Sequence, residues 1–293
     1  MKNRRAPQLP GPLVPSQWLA DHLGNPSLAV LDASVIMTPT PGGPPRFESG
    51  RAAYLDDAHI PGALYADLID AFSEPDAKYG FTRPDAARFA AAASALGIGN
   101  DTTIVTYDRS SSTWAARLWW MFRACGHDNA AVLDGGLRNW RAEKRPIETG
   151  PVSPRGSARF TAHERPELWA TKSEVEGVVA GRTTATLVCA LSHAVYCGSV
   201  RMCARAGHIP GSLSVPFSTL MSPVDGTYLD QDTLAGAFDA FPESGRIISY
   251  CGGGISAAAD ALALTLLGRK NVAIYDGSLN EWADDPAAPL TTL

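Results

Sequence analysis

The sequence predicts an α/β protein built from two tandem copies of one domain, each a largely parallel sheet flanked by helices. Three observations predict it. Short apolar β-type runs alternate with helical patterns along the chain, as they do where crossover helices join parallel strands. Three segments recur in the same order. His59-Ile60-Pro61-Gly62-Ala63 returns as His208-Ile209-Pro210-Gly211-Ser212, and Ile104-Val105-Thr106-Tyr107-Asp108 as Ile247-Ile248-Ser249-Tyr250-Cys251. Asp134-Gly135-Gly136-Leu137-Arg138-Asn139-Trp140 returns as Asp276-Gly277-Ser278-Leu279-Asn280-Glu281-Trp282. The offsets of 149, 143 and 142 residues are nearly constant, as a duplication requires and chance does not. Finally, 293 residues that are 45% hydrophobic and 19% charged suffice for two cores.

The first copy spans residues 12–145. Leu28 to Leu31, Thr103 to Tyr107 and Ala130 to Leu133 read as buried strands. Thr82-Arg83-Pro84-Asp85 reads as a capping box opening an Ala-rich helix that stops at Gly97, and Thr113 to Ala124 is a second helix. The stretch from Pro146 to Arg165 is rich in Pro, Gly and Ser, has no periodicity and reads as a linker, 146–165. The second copy spans 166–293. Thr171-Lys172-Ser173-Glu174 repeats the capping box, and Ala185 to Cys189, Arg246 to Tyr250 and Val272 to Tyr275 read as strands. Ser256 to Leu267 reads as an apolar helix closed by Gly268.

Charge and cysteine usage narrow the function classes. A net charge of -5 and a pI near 5.7 argue against nucleic-acid or anionic-membrane partners, which usually leave a basic imprint. Small solutes or other proteins remain. No apolar run approaches a membrane span, and Met1-Lys2-Asn3-Arg4-Arg5 leads into Pro-rich sequence rather than a signal peptide, so a cytoplasmic location is expected. The five cysteines, Cys125, Cys189, Cys197, Cys203 and Cys251, form no CxxC pair and no zinc-ligand spacing, so no metal is expected.

Chemistry concentrates where the two copies differ. In the second, a strand runs into Cys251-Gly252-Gly253-Gly254-Ile255-Ser256 and then into a helix. Three glycines let the chain curl with several N–H groups turned toward one sulfur, and the helix adds the positive end of its dipole. Both favour a thiolate, and a cysteine so placed falls from ~8.5 into the range ~3.5–7.5. The position is the C-terminal end of a parallel strand, where open α/β sheets place their ligands. In the first copy Asp108 stands at the matching place, followed by Arg109-Ser110-Ser111-Ser112, with neither Gly nor Cys.

The tandem arrangement, the two HIPG(A/S) segments, Ala115-Ala116-Arg117-Leu118-Trp119-Trp120-Met121-Phe122-Arg123, Gly126-His127, Leu133-Asp134-Gly135-Gly136 and Tyr275-Asp276-Gly277-Ser278 together resemble the two-domain rhodanese family. Its members are thiosulfate and 3-mercaptopyruvate sulfurtransferases, and the resemblance runs from Pro12 to Trp282. It implies a non-catalytic first domain, a catalytic second domain, a site at their interface and a persulfide on Cys251, with no cofactor. It further implies ping-pong transfer from a small sulfur donor to a thiol, cyanide or protein-cysteine acceptor.

Several positions depart from the family pattern. Gly252 and Gly253 stand where thiosulfate enzymes carry cations, and Gly253 where mercaptopyruvate enzymes carry a Ser that works with a His and an Asp. His59 matches that His and is a candidate donor-site residue; Gly50 takes the place of the Asp. As members of repeated turns, His59 and His208 also read as structural hydrogen-bonders. Cys189-Ala190-Leu191 and Val195-Tyr196-Cys197-Gly198 lack the family's Asp and both of its anion-binding arginines. Arg201 and Arg205 are candidates to refill that role, the alternative being solvated surface arginines. Cys197 and Cys203 read as inert thiols or as resolving thiols for Cys251. Two rival functions stay open: a sulfur carrier or protein-binding module with little turnover, and an anion-cleaving phosphatase or arsenate reductase. The latter's loops need an Arg six residues after the Cys, and that position is Ala257.

Overall fold

The most apolar runs form the centre of each sheet, where both faces are covered. A computed structural model describes residues 6–40, 45–153 and 155–293; Met1–Arg5, read above for a targeting signal, lie outside the described residues. The first copy contributes β1 (Leu13–Val14), β2 (Leu28–Asp32), the hairpin β3 (Val35–Thr38) and β4 (Arg46–Ser49), β5 (Leu64–Tyr65), β6 (Thr103–Tyr107) and β7 (Ala130–Leu133). The second contributes β8 (Trp169–Ala170), β9 (Thr186–Cys189), β10 (Leu213–Ser214), β11 (Ile247–Tyr250) and β12 (Val272–Tyr275). The two five-stranded sheets are wholly parallel, in the orders β1-β7-β6-β2-β5 and β8-β12-β11-β9-β10. These are one topology written twice, and the α/β class read from the sequence holds. The antiparallel β3–β4 hairpin belongs to the first copy alone.

Helices α1 (Ser16–His22), α2 (Arg51–Asp56), α3 (Ala86–Ala95), α4 (Thr113–Ala124) and α5 (Gly136–Ala142) flank the first sheet, and α6 (Lys172–Val179), α7 (His193–Tyr196), α8 (Gln231–Ala237), α9 (Ser256–Leu266) and α10 (Ser278–Asp284) the second. Thr171 caps α6, accepting the Glu174 N–H at 3.2 Å. The other expected capping box shifts by one turn. Asp85, not Thr82, caps α3, its carboxylate accepting the Arg88 N–H at 2.7 Å, while the Thr82 hydroxyl turns back to the Tyr79 carbonyl.

Helices α4 and α9, the two that follow the repeated strands β6 and β11, are buried on nearly every side. A helix apolar all round needs partners on both sides; each lies on its own sheet and against the other helix. Trp119 and Trp120 pack in this core, their indole N–H groups donating to the Ala130 and Leu168 carbonyls. The domains also clasp reciprocally. Asp134 accepts the Tyr228 N–H of the second domain at 2.8 Å, and its repeat mate Asp276 accepts the Arg83 N–H of the first at 2.9 Å. This packing brings the Cys251 loop against the first domain.

Candidate active site

Cys251 follows the last residue of β11 and is 2% exposed. Its loop is anchored by α10. The Cys251 and Gly252 carbonyls accept the Leu279 and Asn280 N–H groups at 3.0 and 2.9 Å. The Ser278 hydroxyl accepts the N–H groups of both Cys251 and Gly254 at 3.1 Å and donates to the Tyr275 carbonyl at 2.6 Å. Of the loop glycines, Gly254 uses the left-handed region, at φ +75°. A Cβ there would also stand 2.9 Å from Arg117 Nη1, so only glycine fits.

That arginine comes from α4 of the first domain and is fully buried. It donates to Asp276 Oδ1 at 2.6 Å, to the Phe81 carbonyl at 3.0 Å and to the Gly254 carbonyl at 3.4 Å, and it lies over the Trp169 ring. These bonds pin the loop and commit Nη2 to Phe81 and Asp276. Arg117 and Ser278 escape a scan for chemistry-bearing spacings. The signals were a charge in the middle of an apolar helix and a Ser where the repeat has Gly136.

The first copy shows what such a loop holds. Asp108 Oδ1 accepts the N–H groups of Ser110 and Ser112 at 2.8 and 3.0 Å, and Oδ2 those of Trp114 and Ala115 at 3.1 and 3.0 Å. The backbone therefore forms an anion nest already filled by the protein's own carboxylate. At the offset that matches Asp108 to Cys251, the corresponding residues are Gly253, Ile255, Ala257 and Ala258. Among the described residues the N–H groups of Gly253, Ile255 and Ala257 have no protein acceptor, and neither do those of Gly252 and Ser256. These are donors of the kind that a helix N-terminus leaves for a ligand.

The other sequence candidates are dispersed. His59 is fully buried, its ring nitrogens bonded to the Tyr54 carbonyl and Glu148, and it stacks on Tyr54. His208 repeats that arrangement with the Tyr196 carbonyl and ring. Both serve their turns, and the structure gives His59 no contact with the Cys251 loop. Arg205 is half-buried and turned inward. Its guanidinium donates to the carbonyls of Trp282, Ala283, Asp285 and Ala288 and caps the end of α10. Arg201 is exposed and has no ion pair or hydrogen bond among the described residues. Met202, next to it, reaches the loop, its Cε standing 2.5 Å from where a Gly252 side chain would begin. From the first domain, the Gly80 carbonyl comes to 3.7 Å from the equivalent point on Gly253.

The other thiols divide. Cys125 and Cys189 are buried, and burial pushes each up to about 12. Cys203 is half-buried and likewise pushed up to about 12, by burial first and by the charge of Cys251 second. Cys197 pairs with His193 Nε2 at 3.1 Å.

Comparison with known proteins agrees with this architecture. The family model for the rhodanese-like domain matches residues 16–143 and 193–285. The chain is 34% identical to human 3-mercaptopyruvate sulfurtransferase, over 94% of this chain and 93% of that protein. It is also 34% identical to the mitochondrial thiosulfate/3-mercaptopyruvate sulfurtransferase 1 of Arabidopsis thaliana, over 96% and 78%. The solved structure of SseA from Escherichia coli, a 3-mercaptopyruvate sulfotransferase of the rhodanese fold, matches with a TM-score of 0.78 at 30% identity, covering 92% of this chain and 98% of that one. The chain belongs to the rhodanese-like family, as a two-domain sulfurtransferase.

Proposed function

We propose that Cys251 is the sulfur-carrying nucleophile of this enzyme, and that its donor is a small mercapto acid with one carboxylate, of the 3-mercaptopyruvate kind. The observation that carries the reading is Asp108. Its Cβ–Cγ–Oδ chain has the same connectivity as Cβ–Sγ–Sδ of a cysteine persulfide, so the first copy holds a carboxylate in the pose that a persulfide on Cys251 would adopt. The open donors of Gly253, Ile255 and Ala257 correspond to those Asp108 fills. The Cys251 thiolate attacks the donor sulfur, the carbon–sulfur bond breaks, and the thiol proton ends on the departing carbon to give pyruvate. An acceptor thiol, cyanide or protein cysteine then removes the outer sulfur. The first domain is non-catalytic, because Asp108 occupies its own nest.

The cation inventory favours one carboxylate over dianionic thiosulfate. Arg117 and Arg205 are engaged by Asp276 and by backbone carbonyls, Arg83 lies over the Trp169 ring, Lys78 is paired with Asp284, and Arg201 is left to meet a single negative group. The acidic chain argues for small solutes or protein thiols rather than nucleic acid or membrane, and among the described residues no helix is long and apolar enough to cross a bilayer. Five free cysteines fit a reducing cytoplasm. Intact mass after incubation with 3-mercaptopyruvate, and separately with thiosulfate, tests the reading. A gain of one sulfur that disappears in Cys251→Ser is expected, faster with mercaptopyruvate. A gain that survives that substitution, or none with either donor, overturns it.

A further inference from the structure

We propose that Cys203 is a resolving thiol for Cys251: it attacks the inner sulfur of the Cys251 persulfide, forms a Cys203–Cys251 disulfide and releases the donated sulfur as hydrosulfide. The proposal rests on the persulfide reading above and extends it to the fate of the sulfur.

Three of the five cysteines gather at this site. Cys189 ends β9 in register with Tyr250, the residue before Cys251. Cys203 is tied to the loop through Asn280. Its thiol donates to Asn280 Oδ1 at 3.3 Å, while the Asn280 N–H holds the Gly252 carbonyl at 2.9 Å and Asn280 Nδ2 stands 3.1 Å from where a Gly253 Cβ would be. Met202 presses on Gly252 from the same segment. Bare glycines at 252 and 253 thus let the Met202 and Asn280 side chains close on the loop. Cys189 and Cys203 both feel the charge of Cys251.

Accessibility selects between them. Cys189 has no exposed surface, whereas Cys203 is half-buried, between the exposed Arg201 and Ala204. Burial keeps the Cys203 thiol protonated at neutral pH, so it does not compete with Cys251 for the donor. It acts once the persulfide is in place and the proton has a destination. In the step, the Cys203 S–H bond and the Sγ–Sδ bond of Cys251 break and the Cys203–Cys251 bond forms. The proton leaves with the outer sulfur as HS⁻. Cys203 is oxidised, and the outer sulfur is reduced. An external dithiol then returns both cysteines to thiols and is itself oxidised to a disulfide. The enzyme becomes a dithiol-dependent source of sulfide.

The tryptic map suits the test, because Met202–Arg205 contains Cys203 alone and residues 247–269 contain Cys251 alone. The full-length protein is loaded with donor, freed of it and held without thiol. The expected result is release of one equivalent of sulfide, an intact mass two hydrogens below the reduced chain, and a disulfide joining those two peptides. In Cys203→Ser and Cys203→Ala the added sulfur stays on the protein and both the sulfide and the linked peptide are lost, while Cys197→Ser behaves as wild type. A wild-type persulfide that persists without the cross-link, or variants that release sulfide at the wild-type rate, would overturn the proposal. Failure to take up sulfur at all shows at the loading step and sinks the persulfide reading, taking this one with it.

Discussion

Ser278 offers a test in which two small substitutions should rank in a specific order. It is fully buried, sits at φ +49°, and its hydroxyl accepts the N–H groups of Cys251 and Gly254 while donating to the Tyr275 carbonyl. Ser278→Ala removes the acceptor and keeps the left-handed backbone. Two amides left without partners cost about 1–3 kcal/mol each, so a loss of roughly 2–6 kcal/mol is expected. Ser278→Gly removes the same acceptor but relieves a backbone that costs a non-glycine residue about 1–3 kcal/mol. Glycine, ordinarily the worse helix residue, should therefore be the milder change by about 1 kcal/mol or more. Urea denaturation followed by tryptophan fluorescence reads the order, and intact-mass kinetics of sulfur uptake should follow it, because the hydroxyl fixes two residues of the nest. An alanine variant as stable as the glycine variant, or either one as stable as wild type, would refute the reasoning.

Three further outcomes are expected. Asp260 is fully buried with neither carboxylate oxygen bonded, and burial raises its pKa well above the usual range. The folded state thus holds a proton that the unfolded state has released, and stability falls as pH rises from about 4 toward the folded value, by up to ~1.4 kcal/mol per unit. Asp260→Asn should remove that slope from urea midpoints between about pH 5 and about pH 7; an unchanged slope counts against it. Asp108→Ala strips four backbone N–H groups of their acceptor and, at about 1–3 kcal/mol each, should lower stability by roughly 4 kcal/mol or more with sulfur loading at Cys251 intact, as thermal melts and intact mass would report. Arg201→Ala should raise KM for mercaptopyruvate about tenfold, the equivalent of ~1.4 kcal/mol, with little change in kcat. A fall in kcat alone would assign Arg201 a different role.

What the sequence revealed depended on how local the cause was. The repeat and the buried runs of β6, β7, β11 and β12 carried the topology, because apolar strands covered on both faces leave an unbroken pattern. The two-residue strands β1, β5, β8 and β10 are too short for any periodicity, and the β3–β4 hairpin lies outside the duplicated pattern. At the site, the Cys251 loop was legible because glycines, strand end and helix start are contiguous. Arg117 was not, since its partners Phe81, Gly254 and Asp276 come from distant segments. The carbonyl cap made by Arg205 was hidden for the same reason: its acceptors lie far along the chain and carry no side-chain signal.

The reciprocal clasp of Asp134 on Tyr228 and Asp276 on Arg83 has the form of an isologous dimer interface fused into one polypeptide. At the offset that equates Asp108 with Cys251, Arg117 of α4 corresponds to Asp260 of α9. One half of the interface therefore carries an arginine locked onto Asp276. The other carries a buried acid with no partner, and its Asp134 is pushed up to about 6 by burial. A true homodimer could not split its roles in this way, because every substitution would appear twice. Within one polypeptide the halves differ freely: one supplies Arg117, which braces the Cys251 loop, and the other carries Cys251 itself.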